Sequence, residues 1–279
     1  MSNHYSAAVN TARDYYNSED ADRFYYTIWG GEDIHVGLYR TDDEPIFEAS
    51  RRTVQHMAER AAPTADSRVL DIGAGYGGSA RYLAHRYGCQ VVALNLSEVE
   101  NARHREMNAR AGLDYLIEVV DGSFEAIPYP DAHFDLVWSQ DAILHSGDRS
   151  GVLREVDRVL RPGGEFLFTD PMQTDTCPPG VLQPILARIH LEGLGSPGFY
   201  RTLAADLGWR ELAFDELAEQ LPNHYGRVLR ELEARRGELR GVVSDAYIER
   251  MKRGLRHWIE GGQNGYLTWG LLHFRKAAA

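Results

Sequence analysis

The sequence predicts an α/β fold: a doubly wound sheet of parallel strands flanked by helices, with an N-terminal helical lid and an insertion after the fifth strand. Three observations predict it. From residue 66, short β-branched runs alternate with helical patterns, as parallel strands joined by crossover helices require. The first run ends in an acidic residue and a glycine-rich turn that opens a helix. A Pro-Gly-Gly stop then separates the last of these helices from a fifth apolar run. With 279 residues and 43% apolar content, the chain can bury a full core as one large domain with additions.

Residues 1–65 are helical in pattern and rich in aromatics (Tyr5, Tyr15, Tyr16, Phe24, Tyr25, Tyr26, Trp29 and Tyr39), and are expected to form the lid. Residues 66–279 are expected to form the nucleotide-binding domain. Its strands fall at 67–71, 90–95, 115–120, 134–138 and 164–170, with helices at 78–87, 97–111 and 149–160. Arg161-Pro162-Gly163-Gly164 ends the third helix and leads into Glu165–Asp170, expected as an edge strand. Pro171, Pro178, Pro179, Pro184 and Pro197 mark an irregular or short-helical insertion at 172–205, which should overhang the C-terminal strand edge, where ligands bind. A strand at Trp209–Asp215, charged helices through 216–260 and a final strand at Gly265–Phe274 close the chain. The Arg- and Glu-rich stretch 230–240 reads as a solvated face.

There are 41 acidic residues against 30 basic ones, a net charge of −11, and no long basic run, which argues against a nucleic-acid partner. Cys89 and Cys177 are too few for a disulfide framework, and no Cys/His spacing suits zinc, so no metal is expected. The N-terminus has no apolar signal core, and no apolar run approaches the ~20 residues needed to span a bilayer. The expectation is a cytoplasmic protein without a membrane partner; oligomeric state is left open.

In Val69–Gly78, the residues Gly73, Gly75 and Gly77 let a ligand approach the backbone closely. Asp71 beside this turn favours a ligand carrying positive charge. S-adenosylmethionine, with its ammonium and sulfonium, suits the turn better than the pyrophosphate of NAD. Asn95 ends the next strand twenty residues after Gly75, where such folds bind ribose hydroxyls with an acidic residue; an amide can also donate and accept. The other reading of Asn95 is a cap for helix 97–111.

Three segments, Asp71–Gly78, Asp121-Gly122-Ser123-Phe124 and Phe134–His145, together resemble the successive motifs of Rossmann-like class I S-adenosylmethionine-dependent methyltransferases, over roughly residues 67–170. Trp29–Tyr39 and Gly265–Phe274 resemble small-molecule methyltransferases, the group of sarcosine/dimethylglycine N-methyltransferases, phosphoethanolamine methyltransferases and cyclopropane synthases. Ser139–Ser146 is most similar to the sarcosine/dimethylglycine enzymes, which make glycine betaine. That resemblance implies an N-methyltransferase that moves methyl groups from S-adenosylmethionine to sarcosine and/or dimethylglycine, leaving S-adenosylhomocysteine. The acidic chain fits a salt-adapted, osmolyte-producing source. By position, Gly73 and Gly75 would contact the methionine part, supported by Asp71. Asn95 and Leu96 would meet ribose and adenine, Asp121 and Ser123 the adenine edge, and Phe124 its face, with Gln140 beside the sulfonium. Ser139-Gln140-Asp141-Ala142 stands where amide and adenine methyltransferases carry N-P-P-[YF], which argues against those acceptors.

Methyl transfer to an amine is an in-line displacement that needs a neutral lone pair held about 3 Å from the methyl carbon, with water excluded. His145 and His35 are the candidate bases, with Gln140 at the transfer point; each histidine reads equally well as structural or cofactor-bonding. Tyr25, Tyr26 and Trp29 are candidates to line the acceptor chamber by cation–π attraction, the alternative being plain core. Arg188, His190 and Arg201 of the insertion are candidates for the acceptor carboxylate. Two other readings are a phosphoethanolamine or natural-product hydroxyl acceptor, and a non-catalytic S-adenosylmethionine-binding module.

Overall fold

The computed structural model describes residues 7–278, so Tyr5 lies outside the described residues. Helices α1 (Ala7–Tyr16), α2 (Glu19–Ile28) and α3 (Ile46–Ala61) precede the first strand. There follow β1 (Arg68–Ile72), α4 (Gly78–Tyr87), β2 (Gln90–Asn95), α5 (Glu98–Ala111), β3 (Ile117–Asp121), β4 (Phe134–Gln140), α6 (Arg149–Val159) and β5 (Leu160–Gln173). The chain continues through α7 (Gln183–Ile189), α8 (Pro197–Asp206), β6 (Arg210–Glu216), α9 (Gln220–Ala234), α10 (Arg236–Leu239), α11 (Asp245–Gln263) and β7 (Leu267–Arg275).

One seven-stranded sheet has the order β3-β2-β1-β4-β5-β7-β6. The first five strands pair in parallel, as their crossover helices demand. β7 runs antiparallel to both neighbours. Strand order reverses between β1 and β4, and in such sheets the crevice beyond the carboxyl ends of the strands at that point receives the ligand.

Helix boundaries follow local chemistry. Ser97 caps α5 by accepting from the Glu100 backbone N–H at 3.2 Å, and Asp148 caps α6 by accepting from Gly151 N at 2.8 Å. Ser97, rather than Asn95, is thus the cap of α5, so Asn95 is left to other bonds. α5 buries a polar face, Glu100, Asn101, His104 and Asn108, toward the nucleotide-type turn. Arg81 bonds Asn108 at 3.1 Å, and Asn101 donates to Asn95 O at 3.0 Å. A Cβ on Gly77 would fall 1.8 Å from His104 Nε2, which is why this residue must be glycine.

Two apolar layers cover the sheet. On one face α3 and α4 bring Val54, Met57, Ala80 and Leu83 against Val69, Leu136 and Trp138. On the other, α6 and α8 bring Val152, Val156, Tyr200 and Ala204 against Val137, Phe166 and Phe168. A third cluster joins α2, α7, α9 and α11 above the carboxyl ends of the strands, through Phe24, Ile28, Leu186, Val228 and Leu255. Each Val, Leu, Ile, Phe or Met among them contributes roughly 1.5–3 kcal/mol on burial.

Two expectations need correction. β5 is an interior strand, flanked by β4 and β7, rather than an edge. The Arg161–Gly164 stretch ends α6 but lies inside β5 as an irregularity: Phe134 pairs with Leu160 and Leu136 with Glu165, while Gly163 N and Gly164 O bond Ala277 and Lys276. Of the Pro-rich 172–205 stretch, α7 overhangs the strand ends, but α8 is the crossover helix between β5 and β6. Among the described residues no helix is long and apolar enough to cross a membrane.

Candidate functional site

Two cavities adjoin at the switch between β1 and β4. The smaller, about 90 Å³, has its floor at the turn after β1, Gly73 and Gly75. Asn95, Leu96 and Ser97 after β2, Glu100 of α5, and Ser123 and Phe124 after β3 form one side; Gln140, Asp141 and Ala142 after β4 form the other. α1 roofs it with Val9, Ala12 and Tyr16. A Cβ on Gly73 would fall 2.3 Å from Ala142 Cβ, so the two loops can meet only around a glycine.

Asn95 Nδ2 donates to Glu100 Oε2 at 3.0 Å, which pairs the amide at the end of β2 with a buried carboxyl in the first turn of α5. Burial pushes the Glu100 carboxyl up to about 7, Asp22 adding to the rise and the Asn95 bond opposing it. Asp71 lies under the turn, 3% exposed, and its Oδ2 has no partner. Burial raises it to about 7, with His35 pulling down and Asp33 pushing up. A glycine floor, an amide–carboxyl pair and the Phe124 ring can together hold a nucleoside, and the orphaned Asp71 oxygen waits for a donor or a cation.

The larger cavity, about 430 Å³, opens between α1, α2, α7, α9 and α11. Tyr15, Tyr16, Tyr25, Trp29, Tyr225 and Trp258 give it aromatic walls. The Tyr15 hydroxyl lies 3.1 Å from that of Tyr25 and 3.0 Å from that of Tyr247, and the Trp258 and Tyr225 rings stack with centroids 5.2 Å apart. Arg188, with no ion-pair partner among the described residues, is a cation in this wall; its Nε is buried and unbonded.

Tyr16, Ile34, Asp141 and His145 line both cavities. Tyr16 Oη is 2.9 Å from His145 Nε2. Burial, then the charges of Arg188 and Arg149, lower His145 to about 4, so the ring is neutral near pH 7. Burial holds the Tyr16 hydroxyl well above its ordinary value, so it keeps its proton. Asp141 adopts a left-handed backbone, φ 53°, at the end of β4. Its Oδ2 accepts from Val36 N at 2.6 Å, and its Oδ1 from Trp269 Nε1 at 2.7 Å and Thr169 Oγ1 at 2.8 Å.

His35 and Gln140 form a second link between the cavities. Gln140 Oε1 accepts from Trp138 Nε1 at 3.0 Å and from Ser79 Oγ, so its amide turns its donors to His35 Nε2, 3.1 Å away. His35 Nδ1 faces Val36 O at 3.1 Å, so that nitrogen carries a proton that the carbonyl accepts. Burial would lower the His35 pKa, but Asp33 and Asp141 outweigh it and the net shift is upward.

The fold therefore gathers Gly73, Gly75, Asn95, Leu96, Ser123, Phe124 and Gln140 on the smaller cavity, and His35, Tyr25, Trp29, Arg188 and His190 on the larger, with His145 between them. Asp71 lies beneath the glycine turn and lines neither cavity, and three further candidates stand apart. Tyr26, next to Tyr25 on α2, turns outward and is 42% exposed, its ring under Arg103 at 4.3 Å. Arg201 faces away on α8 and pairs with Glu211 at 2.6 Å. Asp121 bonds Asn101 and Arg105 instead of the cavity. Sequence reasoning missed Tyr16, Glu100, Asp141, Tyr225 and Trp258 as site residues. The last two sit on helices whose charge density reads as solvated, and only the i, i+3/i+4 recurrence of aromatics and Met251 among the charges could have flagged an inward face.

A methyltransferase-domain family profile matches residues 70–168. The chain is 66% identical to a sarcosine/dimethylglycine N-methyltransferase of Halorhodospira halochloris, over 96% of this chain and 97% of that one. A protein of the same description from Aphanothece halophytica is 56% identical over 97% of this chain and 98% of its own. A solved structure from Galdieria sulphuraria, described as a sarcosine dimethylglycine methyltransferase, superposes with a TM-score of 0.90 at 45% identity and covers 95% of this chain and 100% of that one. With a site of this shape and likeness along almost its whole length, the chain belongs to the sarcosine/dimethylglycine N-methyltransferase family.

Proposed function

We propose that this protein transfers methyl groups from S-adenosylmethionine to sarcosine and dimethylglycine, yielding dimethylglycine and glycine betaine. One observation carries the reading: a crevice over the glycine turn and an aromatic cavity holding an unpaired guanidinium share a wall at Tyr16 and His145. The residues fit S-adenosylmethionine. Asp71, buried beneath the glycine turn with Oδ2 unpartnered, can offset the charge of a cationic methionine part from below, Asn95 and Glu100 suit ribose hydroxyls, and Phe124 suits the face of adenine. When bound, this group supplies an electrophilic methyl on a sulfonium.

The protein's part is to present a neutral nitrogen. Arg188 holds the acceptor carboxylate, and the amine, one methylene away, points to the shared wall. An ammonium proton passes to Tyr16 Oη as the hydroxyl proton moves to His145 Nε2, 2.9 Å away. Arg188 is among the charges that depress His145. A carboxylate on Arg188 offsets that charge, so acceptor binding strengthens the base it needs. The tyrosine and tryptophan faces exclude water and stabilise the positive charge that forms on nitrogen.

Incubation with S-adenosylmethionine and, separately, glycine, sarcosine and dimethylglycine, with products weighed by mass spectrometry, tests this. Dimethylglycine and glycine betaine are expected. Preference for glycine would refute the specificity, and absence of S-adenosylhomocysteine with every amine would refute the activity.

A further inference from the structure

Helix α11 carries a feature that the transfer chemistry leaves unused. A Cβ on Gly254 would lie 2.7 Å from Arg188 Nε and 2.9 Å from its Cζ, so the guanidinium occupies a notch that the glycine leaves. Glycine inside a helix costs stability relative to alanine, and the close approach explains its presence. The nearest side-chain partner of the guanidinium is weak, Met251 Sδ at 4.0 Å from Nη1. One turn beyond Gly254, Trp258 is 2% exposed and stacked on Tyr225, with Nε1 unbonded. Met251, Gly254, Leu255 and Trp258 recur at helical spacing on one face, and Met251, Leu255 and Trp258 line the larger cavity.

Buried N–H donors rarely stay without partners. Arg188 Nε and Trp258 Nε1 are two such donors on one wall. Donors without acceptors match a carboxylate, which only accepts. Trp29 Nε1 is also unbonded, its ring packed against Tyr25, His224 and Tyr225, but Trp258 is the donor that shares α11 with the glycine seating Arg188.

We propose that α11 sets the acceptor's specificity for a carboxylate: Gly254 is a positioning residue that seats Arg188, and the Trp258 indole N–H is a second donor to the carboxylate beside the guanidinium. This rests on the function proposed above. Holding the carboxylate at two points fixes the direction of the single methylene, and with it the aim of the nitrogen at the wall shared with the smaller cavity.

Calorimetry on the full chain with S-adenosylhomocysteine present, titrating glycine betaine and choline, tests it, because these ligands share a trimethylammonium head and differ in carboxylate against hydroxyl. Trp258→Phe keeps the ring and removes the donor; it is expected to weaken betaine about tenfold and to leave choline within roughly twofold. Gly254→Ala is expected to do the same, and to raise the KM for dimethylglycine more than it lowers kcat. Betaine binding by Trp258→Phe equal to that of the unaltered protein, or equal losses for betaine and choline, would overturn the proposal. Trp258→Phe decides alone if Gly254→Ala does not fold. An unaltered protein that binds neither betaine nor dimethylglycine would instead overturn the proposed function.

Discussion

Tyr16 Oη and His145 Nε2 lie 2.9 Å apart where the two cavities meet, a hydroxyl from the N-terminal helix closing on a ring from the turn after β4. The pair exists only when α1 is docked, so the roof of one cavity is also the working edge of the other. Tyr16→Phe removes the hydroxyl and keeps the ring. Its kcat with dimethylglycine is expected to fall roughly 10- to 100-fold, the scale of a lost proton relay. Cofactor affinity by calorimetry should change little, since the smaller cavity keeps its floor and sides.

Arg188→Gln is expected to raise the KM for dimethylglycine about 10- to 100-fold, in line with loss of a charge-assisted hydrogen bond of roughly 1.5–3 kcal/mol. Steady-state kinetics at saturating S-adenosylmethionine would check it. An unchanged KM would remove Arg188 from the acceptor site.

Asp141→Asn is expected to destabilise the fold. The carboxyl accepts from Val36 N, Trp269 Nε1 and Thr169 Oγ1 and so ties the ends of β4, β5 and β7 to the N-terminal segment. An amide has one oxygen, and its NH₂ would face at least one of these donors. A loss of about 2–4 kcal/mol follows, readable as a drop of roughly 5–10 °C in thermal midpoint.

Asp71, Glu100 and Asp170 are all raised by burial to about 7, above their values in the unfolded chain. Their neutral forms favour the fold, so this stability is complete below the unfolded values near 4 and is lost as pH rises through about 7. The thermal midpoint of the ligand-free protein is therefore expected to fall between pH 5 and pH 8, as calorimetry would show. Cofactor affinity should run the other way, because a cationic ligand is drawn to ionised Asp71. Tightening from pH 6 to pH 8 is expected, and Asp71→Asn should abolish most of it.

The alternation of strands and helices from Arg68 to Asp170 could be read directly, because a period of two or of 3.6 is local, while the caps Ser97 and Asp148 emerged only from the structure. The Asp71–Gly78 turn was equally legible, since three glycines beside a strand end state how close a ligand must come. Arg201 and Tyr26 were misread for one reason: both have fitting chemistry, and the face each presents depends on which neighbour its helix packs against. β5 looked like an edge because nothing local announces that β7 returns from the far end of the chain to lie beside it.

By itself, then, the sequence determined the smaller, glycine-floored crevice, whose parts are strand ends and turns a few residues long, and it determined the family through motifs carried on those same turns. For the larger cavity the sequence offered single candidates such as Tyr25, Trp29 and Arg188, and only the tertiary structure brought them together. Its walls come from α1, α2, α7, α9 and α11, segments as far apart in the chain as Tyr16 and Trp258, and their side chains meet only when the third apolar cluster closes over the strand ends. Periodicity can mark that each helix buries a face, but it does not say against what.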